Sequence, residues 1–403
     1  MSDTTTPDLR RLPGSVWALG ATSALMDLAS ELVHSLLPVF LVSVLHANIA
    51  TIGLIEGIAE SIASITKVFS GALSDRLGKR KPIALFGYGL AAMTKFAFPL
   101  ATTVAWVATA QSLDRFGKGI RGAPRDALVT DLTPPHRRGA AFGLRQSLDS
   151  LGSLSGPAVA LLLMWLLHDD VRKVLWIAPL PALAAVLAMI LWVKEPPSTT
   201  SALRSTPLTL KNMRRFSRHY WTVTALGAVF TLARFSEAFL VLRVQHSGLR
   251  IGFVPIVLVV MAVSYMLVAY PAGTASDRGH NRSLLIGGLG VLVIADLVLA
   301  TAPSPLIVLC GAALWGLHMA LTQGTLSRLV ADATPPDLLG TGFGVFNLIT
   351  GISTLFASLI AGALWSTTGP YATFLMGAVF AAVAAIGLMA YGYGKNKALI
   401  STP

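Results

Sequence analysis

The chain has little charge, almost no cysteine and none of the short motifs that mark the common enzyme chemistries. Only 12% of its 403 residues are charged, about half the density of a soluble domain. That scarcity excludes an ordinary water-facing surface for a chain this long. Cysteine occurs once, as Cys310 in an apolar stretch. No internal disulfide framework can form, and the thiol reads as a small packing residue. Acidic residues are outnumbered, 19 against 31 Lys and Arg, giving a net charge of +12. The excess does not point to nucleic acid, because the basic residues sit in short loops between apolar runs. There is no Walker A loop, no His-Glu-x-x-His helix, no Cys/His metal cluster and no Gly-x-Ser-x-Gly elbow. ATP-driven transport within this chain is thereby excluded, and an enzyme reading lacks support. The expectation is a protein that is not an enzyme and needs neither cofactor nor metal.

What is abundant is apolar length. Hydrophobic residues make up 54% of the chain, and its mean hydropathy is +0.68. Apolar runs recur over 15–45, 49–73, 82–102, 104–129, 139–167, 173–194, 220–246, 250–274, 282–302, 304–330, 339–367 and 369–394. Each is close to the roughly 20 residues that cross about 30 Å of hydrocarbon. The pattern predicts an all-α polytopic membrane protein of twelve transmembrane helices. Arg10 and Arg11 precede the first run. The run is too long for a signal peptide and holds Asp27 and Glu31, so it reads as a retained helix. Loops after runs 2, 4, 6 and 8 carry Arg and Lys, as in Arg76, Lys79, Arg80 and Lys81, or Arg137 and Arg138. Loops after runs 1, 3, 9 and 11 carry neither. The positive-inside rule then places both termini in the cytoplasm, with a bacterial cytoplasmic (inner) membrane as the expected location.

A polar stretch over 195–219 separates two stretches of six runs, 1–194 and 220–403, and reads as a cytoplasmic linker. An internal repeat supports the division. Asp131-Leu132-Thr133-Pro134-Pro135, Gly139 and Phe142-Gly143 recur as Asp332-Ala333-Thr334-Pro335-Pro336, Gly340 and Phe343-Gly344. Ser74-Asp75-Arg76 recurs as Ser276-Asp277-Arg278, and Ser30-Glu31 has a counterpart in Ser236-Glu237. Parallel halves of this kind imply a cavity near the membrane midplane.

The segment Gly71-Ala72-Leu73-Ser74-Asp75-Arg76-Leu77-Gly78-Lys79-Arg80-Lys81 resembles the loop 2–3 signature of the major facilitator superfamily, with a degraded second copy at Gly273 to Arg282. The resemblance covers the whole chain and implies two pseudo-symmetric six-helix bundles. It also implies that Gly71, Asp75, Arg76, Gly78, Arg80, Asp277 and Arg278 act in gating. Gly143, Gly152, Gly156 and Pro157 in the fifth run resemble the antiporter motif of exporters in that family. Glycines allow close helix approach, and proline removes a backbone donor. In the fourth run Arg115 and Gly119 resemble a family motif in which a mid-membrane arginine influences proton transfer.

The fourth run is too charged to face lipid, where each charge near the centre costs at least about 2.5–3.5 kcal/mol. Asp114, Lys118, Arg121 and Arg125 are spaced 4, 3 and 4 residues apart and fall on one helical stripe. The stripe either lines an entry path for an anion or forms a salt-bridged half-helix. Other embedded charges are Asp27 and Glu31, Glu56 and Glu60, Lys67, Lys95, Arg145 and Asp149, and Arg234 and Glu237. His34, His318, Gln323 and Asn347 are weaker candidates. Asp27, Glu31, Arg115, Asp149, Arg234 and Glu237 are the expected proton-coupling and cavity residues. The function expected is secondary active transport by alternating access, as proton-coupled export (antiport) of a small solute. The alternatives are proton-linked uptake of a small organic anion, or a membrane sensor on the same scaffold. The expected partners are a small-molecule substrate, protons and the lipid bilayer, with the chain acting as a monomer and no nucleic acid bound.

Overall fold

The computed structural model describes residues 12–77, 79–134, 137–195, 213–335 and 338–400. The side chains of 72, 75, 76, 277, 324, 327, 328, 339, 340 and 391–400 also lie outside the description. Gly78, most of the 195–219 linker, and the Asp75, Arg76 and Asp277 side chains of the loop signature therefore fall outside it.

Among the described residues the α-helices are α1 (Gly14–Ser43), α2 (Ile49–Leu77), α3 (Lys81–Leu100), α4 (Val104–Asp131), α5 (Arg138–Leu166), α6 (Val171–Leu175) and α7 (Pro179–Trp192), followed by α8 (Arg218–Leu232), α9 (Ala238–His246), α10 (Ile256–Asp277), α11 (Asn281–Thr301), α12 (Pro305–Ala333), α13 (Leu339–Thr368) and α14 (Pro370–Ile400). Their ends carry the residues that satisfy orphan backbone groups. Thr103 accepts the Trp106 N–H at 3.2 Å and Ser217 the Tyr220 N–H at 3.1 Å. Asp170 accepts the Lys173 N–H at 3.1 Å, and this bond holds its carboxyl below the usual range. Gly369, at φ +98°, ends α13 by donating to the Leu364 and Trp365 carbonyls.

Among the described residues, ten helical stretches are long and apolar enough to cross a membrane. Two expected spans are not among them. Helix α4 has the length but not the hydrophobicity, its apolar residues being offset by the Asp114–Asp126 charges. The run 220–246, expected as one helix, is broken over 233–237 between α8 and α9. The break falls on Arg234-Phe235-Ser236-Glu237, where side chains supply the missing bonds. The Ser236 hydroxyl accepts the Ala238 N–H at 3.2 Å and donates to Glu56 Oε2 at 2.9 Å. The shorter break between α6 and α7 has another cause: Pro179 has no N–H to continue the ladder.

The chain divides into two compact units. One comprises residues 1–40 and 62–205, the other 41–61 and 206–403. In the first, Leu19, Met26, Tyr88, Leu128 and Met189 form a fully buried core. In the second, Phe216 stacks on Tyr220 at 4.2 Å, and the Tyr220 hydroxyl donates to the Gly342 carbonyl at 2.8 Å.

The repeat is visible in packing as well as in sequence. In the first unit α3 crosses α4 so closely that a Cβ on Gly87 would lie 2.7 Å from the Gly117 carbonyl and 2.8 Å from the Arg121 N. In the second, α11 crosses α12, and a Cβ on Gly288 would lie 2.4 Å from Thr322. Gly288 and Thr322 stand 201 residues after Gly87 and Arg121. Arginines close the far ends of these helices. Arg172 donates to the Pro99 and Ala101 carbonyls at 2.9 and 3.0 Å, and Arg243 to those of Leu299 and Ala302 at 2.7 Å each.

Candidate functional site

The first unit holds a network of charges spread over four helices. It is built around α4, whose small residues let neighbouring backbones approach. A Cβ on Gly119 would lie 2.7 Å from the Ala63 carbonyl of α2. With α2 and α3 pressed against it, α4 turns its charges inward, as the cost of exposing them to lipid requires.

Three contact groups result. On the α3 side, Lys95 Nζ lies 2.7 Å from Asp114 Oδ1, which also accepts the Thr94 hydroxyl at 3.0 Å. Towards α1, Arg121 lies 3.4 Å from Asp27 Oδ1 and stacks over the Tyr88 ring at 4.7 Å. Near α5, Arg125 meets Asp126 at 3.1 Å and Asp149 at 3.6 Å, and donates to the Ser23 hydroxyl. Arg145 bridges Asp149 at 2.9 Å and Asp126 at 3.3 Å. Asp149 Oδ1 is buried without a hydrogen-bond partner. Asp126 and Asp149 are thus shared by two guanidiniums. A proton arriving on either carboxylate would release an arginine to a different partner.

The expected residues divide unevenly over this network. Asp27, Arg121, Arg125 and Asp149 come together. Asp114 belongs to a separate pair with Lys95. Lys118 is exposed, so the four-residue stripe does not share one environment. Asp114, Arg121 and Arg125 face carboxylate or lysine partners, which is the salt-bridged arrangement. Arg115 is 4% exposed and its NH2 lies 3.2 Å from His34 Nδ1. Since a guanidinium only donates, Nδ1 is the acceptor and the imidazole carries its hydrogen on Nε2. Glu31 is half-buried, with its Cβ against Gly156.

The fifth-helix glycines have different roles. A Cβ on Gly152 would lie 2.4 Å from the Ala24 carbonyl, and one on Gly156 2.6 Å from Glu31 Cβ. These two, with buried Pro157, form the seam against α1. Gly143 has nothing within 4 Å of its Cβ position and takes no part in that seam. Of the loop signature, Gly71 faces α4, where a Cβ on it would lie 3.3 Å from Ala123 Cβ. Arg80 pairs with Asp131 at 2.7 Å, tying the loop to the end of α4. Glu195 accepts the Arg80 and Lys81 N–H groups at 2.9 Å each, a carboxylate at a helix N-terminus. Arg278 is exposed.

In the second unit, Arg234 and Glu237 occupy the break between α8 and α9. His318 is fully buried, with Nδ1 2.8 Å from the Gly288 carbonyl and Nε2 without a partner. Asp296 was not among the expected residues. It is 0% exposed, its Oδ1 accepts the Trp315 indole N–H at 2.9 Å, and its Oδ2 has no partner. The repeat offset is the signal that locates it, because Asp296 stands 201 residues after Lys95 and Trp315 the same distance after Asp114.

The Major Facilitator Superfamily model matches residues 19–261 and 238–401. An uncharacterized MFS-type transporter of Methanocaldococcus jannaschii is 32% identical over 94% of this chain and 95% of its own length. The multidrug resistance protein MdtH of Edwardsiella ictaluri is 28% identical over 70% of each chain. Among solved structures, the nucleoside transporter NupG superposes with a TM-score of 0.73 at 14% identity, over 93% of this chain and 98% of that one. The match spans both units, and with the ten apolar helices it makes the chain an integral membrane protein that belongs to the Major Facilitator Superfamily of transporters.

Proposed function

We propose that the chain is a proton-coupled secondary transporter that exports a small organic solute by alternating access between two six-span halves, 1–194 and 220–403. The observation that carries this reading is the sharing of Asp126 and Asp149 by Arg125 and Arg145, beside the Asp27–Arg121 pair. In an isolated ion pair each charge has a single partner. Here two acids are held between two arginines, an arrangement with more than one low-energy pairing, and a proton selects among them. In this reading α4 and the broken α8–α9 supply the two spans that complete twelve, and both termini are cytoplasmic. Export is supported by the relatives named multidrug resistance proteins and by the Gly152–Gly156–Pro157 seam.

A second reading, proton-linked uptake of an organic anion, is supported by the excess of cations in the first unit. Lys67, Lys95, Arg115, Lys118, Arg121, Arg125 and Arg145 outnumber Asp27, Glu31, Asp114, Asp126 and Asp149.

Everted membrane vesicles acidified inside by respiration test both. A panel of organic solutes is added while lumenal pH is followed with a dye. An exporter releases lumenal protons as solute accumulates, and Asp149→Asn abolishes the response. An uptake system instead drives preloaded solute out of the lumen. Proton movement that no solute alters, in wild type and Asp149→Asn alike, refutes proton coupling.

A further inference from the structure

The crossing of the third and fourth helices recurs in the two halves with the same geometry and opposite charge logic. In the first unit Lys95 on α3 meets Asp114 on α4 at 2.7 Å. In the second, Asp296 on α11 meets Trp315 on α12 at 2.9 Å. Both pairs are separated by 19 residues, and each position is offset by 201. A lysine and a carboxylate neutralise each other. A carboxylate and an indole do not, and the second pair is neutral only when the acid holds a proton. We propose that Asp296 is a neutral carboxylic acid with its proton on Oδ2, and that unloading and reloading this site is a proton step of the transport cycle located in the second half. The transport part of this statement rests on the proton-coupled reading above, whereas the protonation part does not.

The surroundings support the assignment. Asp296 is 0% exposed and Oδ2 is buried without a partner. No cation lies within ion-pairing distance of it among the described residues. The site is walled by aromatic rings: Phe235 lies 5.8 Å from Trp315 and 5.5 Å from Phe374. Gly377 on α14 leaves the space beside Oδ2, where a Cβ would come within 2.4 Å of that oxygen.

Among the described residues none of the titratable groups on the packed elements forms an ion pair with Asp296. Arg243 on α9 donates to the Leu299 and Ala302 carbonyls. His318 on α12 is bound to Gly288, two turns back along α11 from Asp296. On α14, Tyr371 is 52% exposed. Tyr265 on α10 and Arg234 and Glu237 in the α8–α9 break complete the set. A bare carboxylate in this setting is shut off from bulk solvent and has no counter-charge at ion-pairing distance, and a proton supplies what Lys95 supplies in the first half.

Infrared difference spectroscopy on the full-length protein in lipid nanodiscs reads the proton directly. The expected result is a carboxylic-acid carbonyl band at neutral pH that shifts in D2O and is missing from Asp296→Asn. Trp315→Phe should move the same band, because it removes the bond to Oδ1. That second variant keeps the test valid if the asparagine protein does not fold. Identical carbonyl regions in wild type and both variants overturn the assignment. In vesicles, Asp296→Asn should lose solute movement driven by a pH gradient while keeping solute exchange at equal pH. Full gradient-driven transport by Asp296→Asn, with the band assigned, overturns the cycling step. A wild type that ignores the pH gradient refutes proton coupling itself and leaves the infrared assignment standing.

Discussion

Removing one partner of the Lys95–Asp114 pair should destabilise the first unit far more than removing both. The side chains are 1% and 9% exposed and lie 2.7 Å apart, so water screens the pair little. Breaking a buried pair from one side costs about 3–5 kcal/mol, because a charge remains without compensation. Lys95→Met keeps most of the stem and strands the carboxylate with only the Thr94 hydroxyl at 3.0 Å. Asp114→Asn strands the ammonium. For a unit of this size each kcal/mol moves the melting midpoint by about 2–4 °C, so each single variant should melt roughly 6–20 °C lower. Lys95→Met combined with Asp114→Asn removes both charges of the pair and should melt closer to wild type than either single variant. Fluorescence-monitored unfolding in one detergent, with membrane abundance as a second measure, completes the double-mutant cycle. A double variant that loses the sum of the two single losses refutes the argument, since the cost would then come from packing.

Two further predictions concern packing and topology. Gly152→Val should cut the abundance of folded protein sharply, since even a Cβ there would lie 2.4 Å from the Ala24 carbonyl. Gly143→Ala, with open space at its Cβ position, should change it by less than about 0.5 kcal/mol, as an exposed substitution does; equal effects at the two positions would mean that the seam against α1 is misassigned. Reporter fusions after Val171 and after Ser205 should fall on opposite sides of the membrane, and the same side for both would refute the span order.

The sequence carried the site unevenly, for reasons that differ from residue to residue. Asp27, Arg121, Arg125 and Asp149 were legible because charge inside an apolar run is costly and must be met by a partner. Their pairing was not legible: Asp27 and Arg121 are 94 residues apart, and only the approach of α1 to α4 decides that they meet. Helical spacing put Lys118 on the same stripe as Arg121, yet the packed neighbours leave Lys118 exposed. Gly143 fitted a motif by spacing alone, whereas contact with another helix distinguishes Gly152 and Gly156 from it. Asp296 escaped notice because a lone acid in an apolar run has no local signal, and its meaning depends on Trp315 across the helix crossing.

By itself the sequence determined that the chain is helical and lies in a membrane, and that it repeats. Apolar length, scarcity of charge and an offset near 201 residues are properties of the chain read in order, and hydrocarbon leaves the backbone few choices besides the helix. Tertiary structure alone decided which charges are paired, where the seventh run breaks, and that the same crossing is neutralised by lysine in one half and left with an uncompensated acid in the other. Those outcomes depend on distances of 2.7–3.6 Å between residues remote in the chain, and no local pattern encodes them.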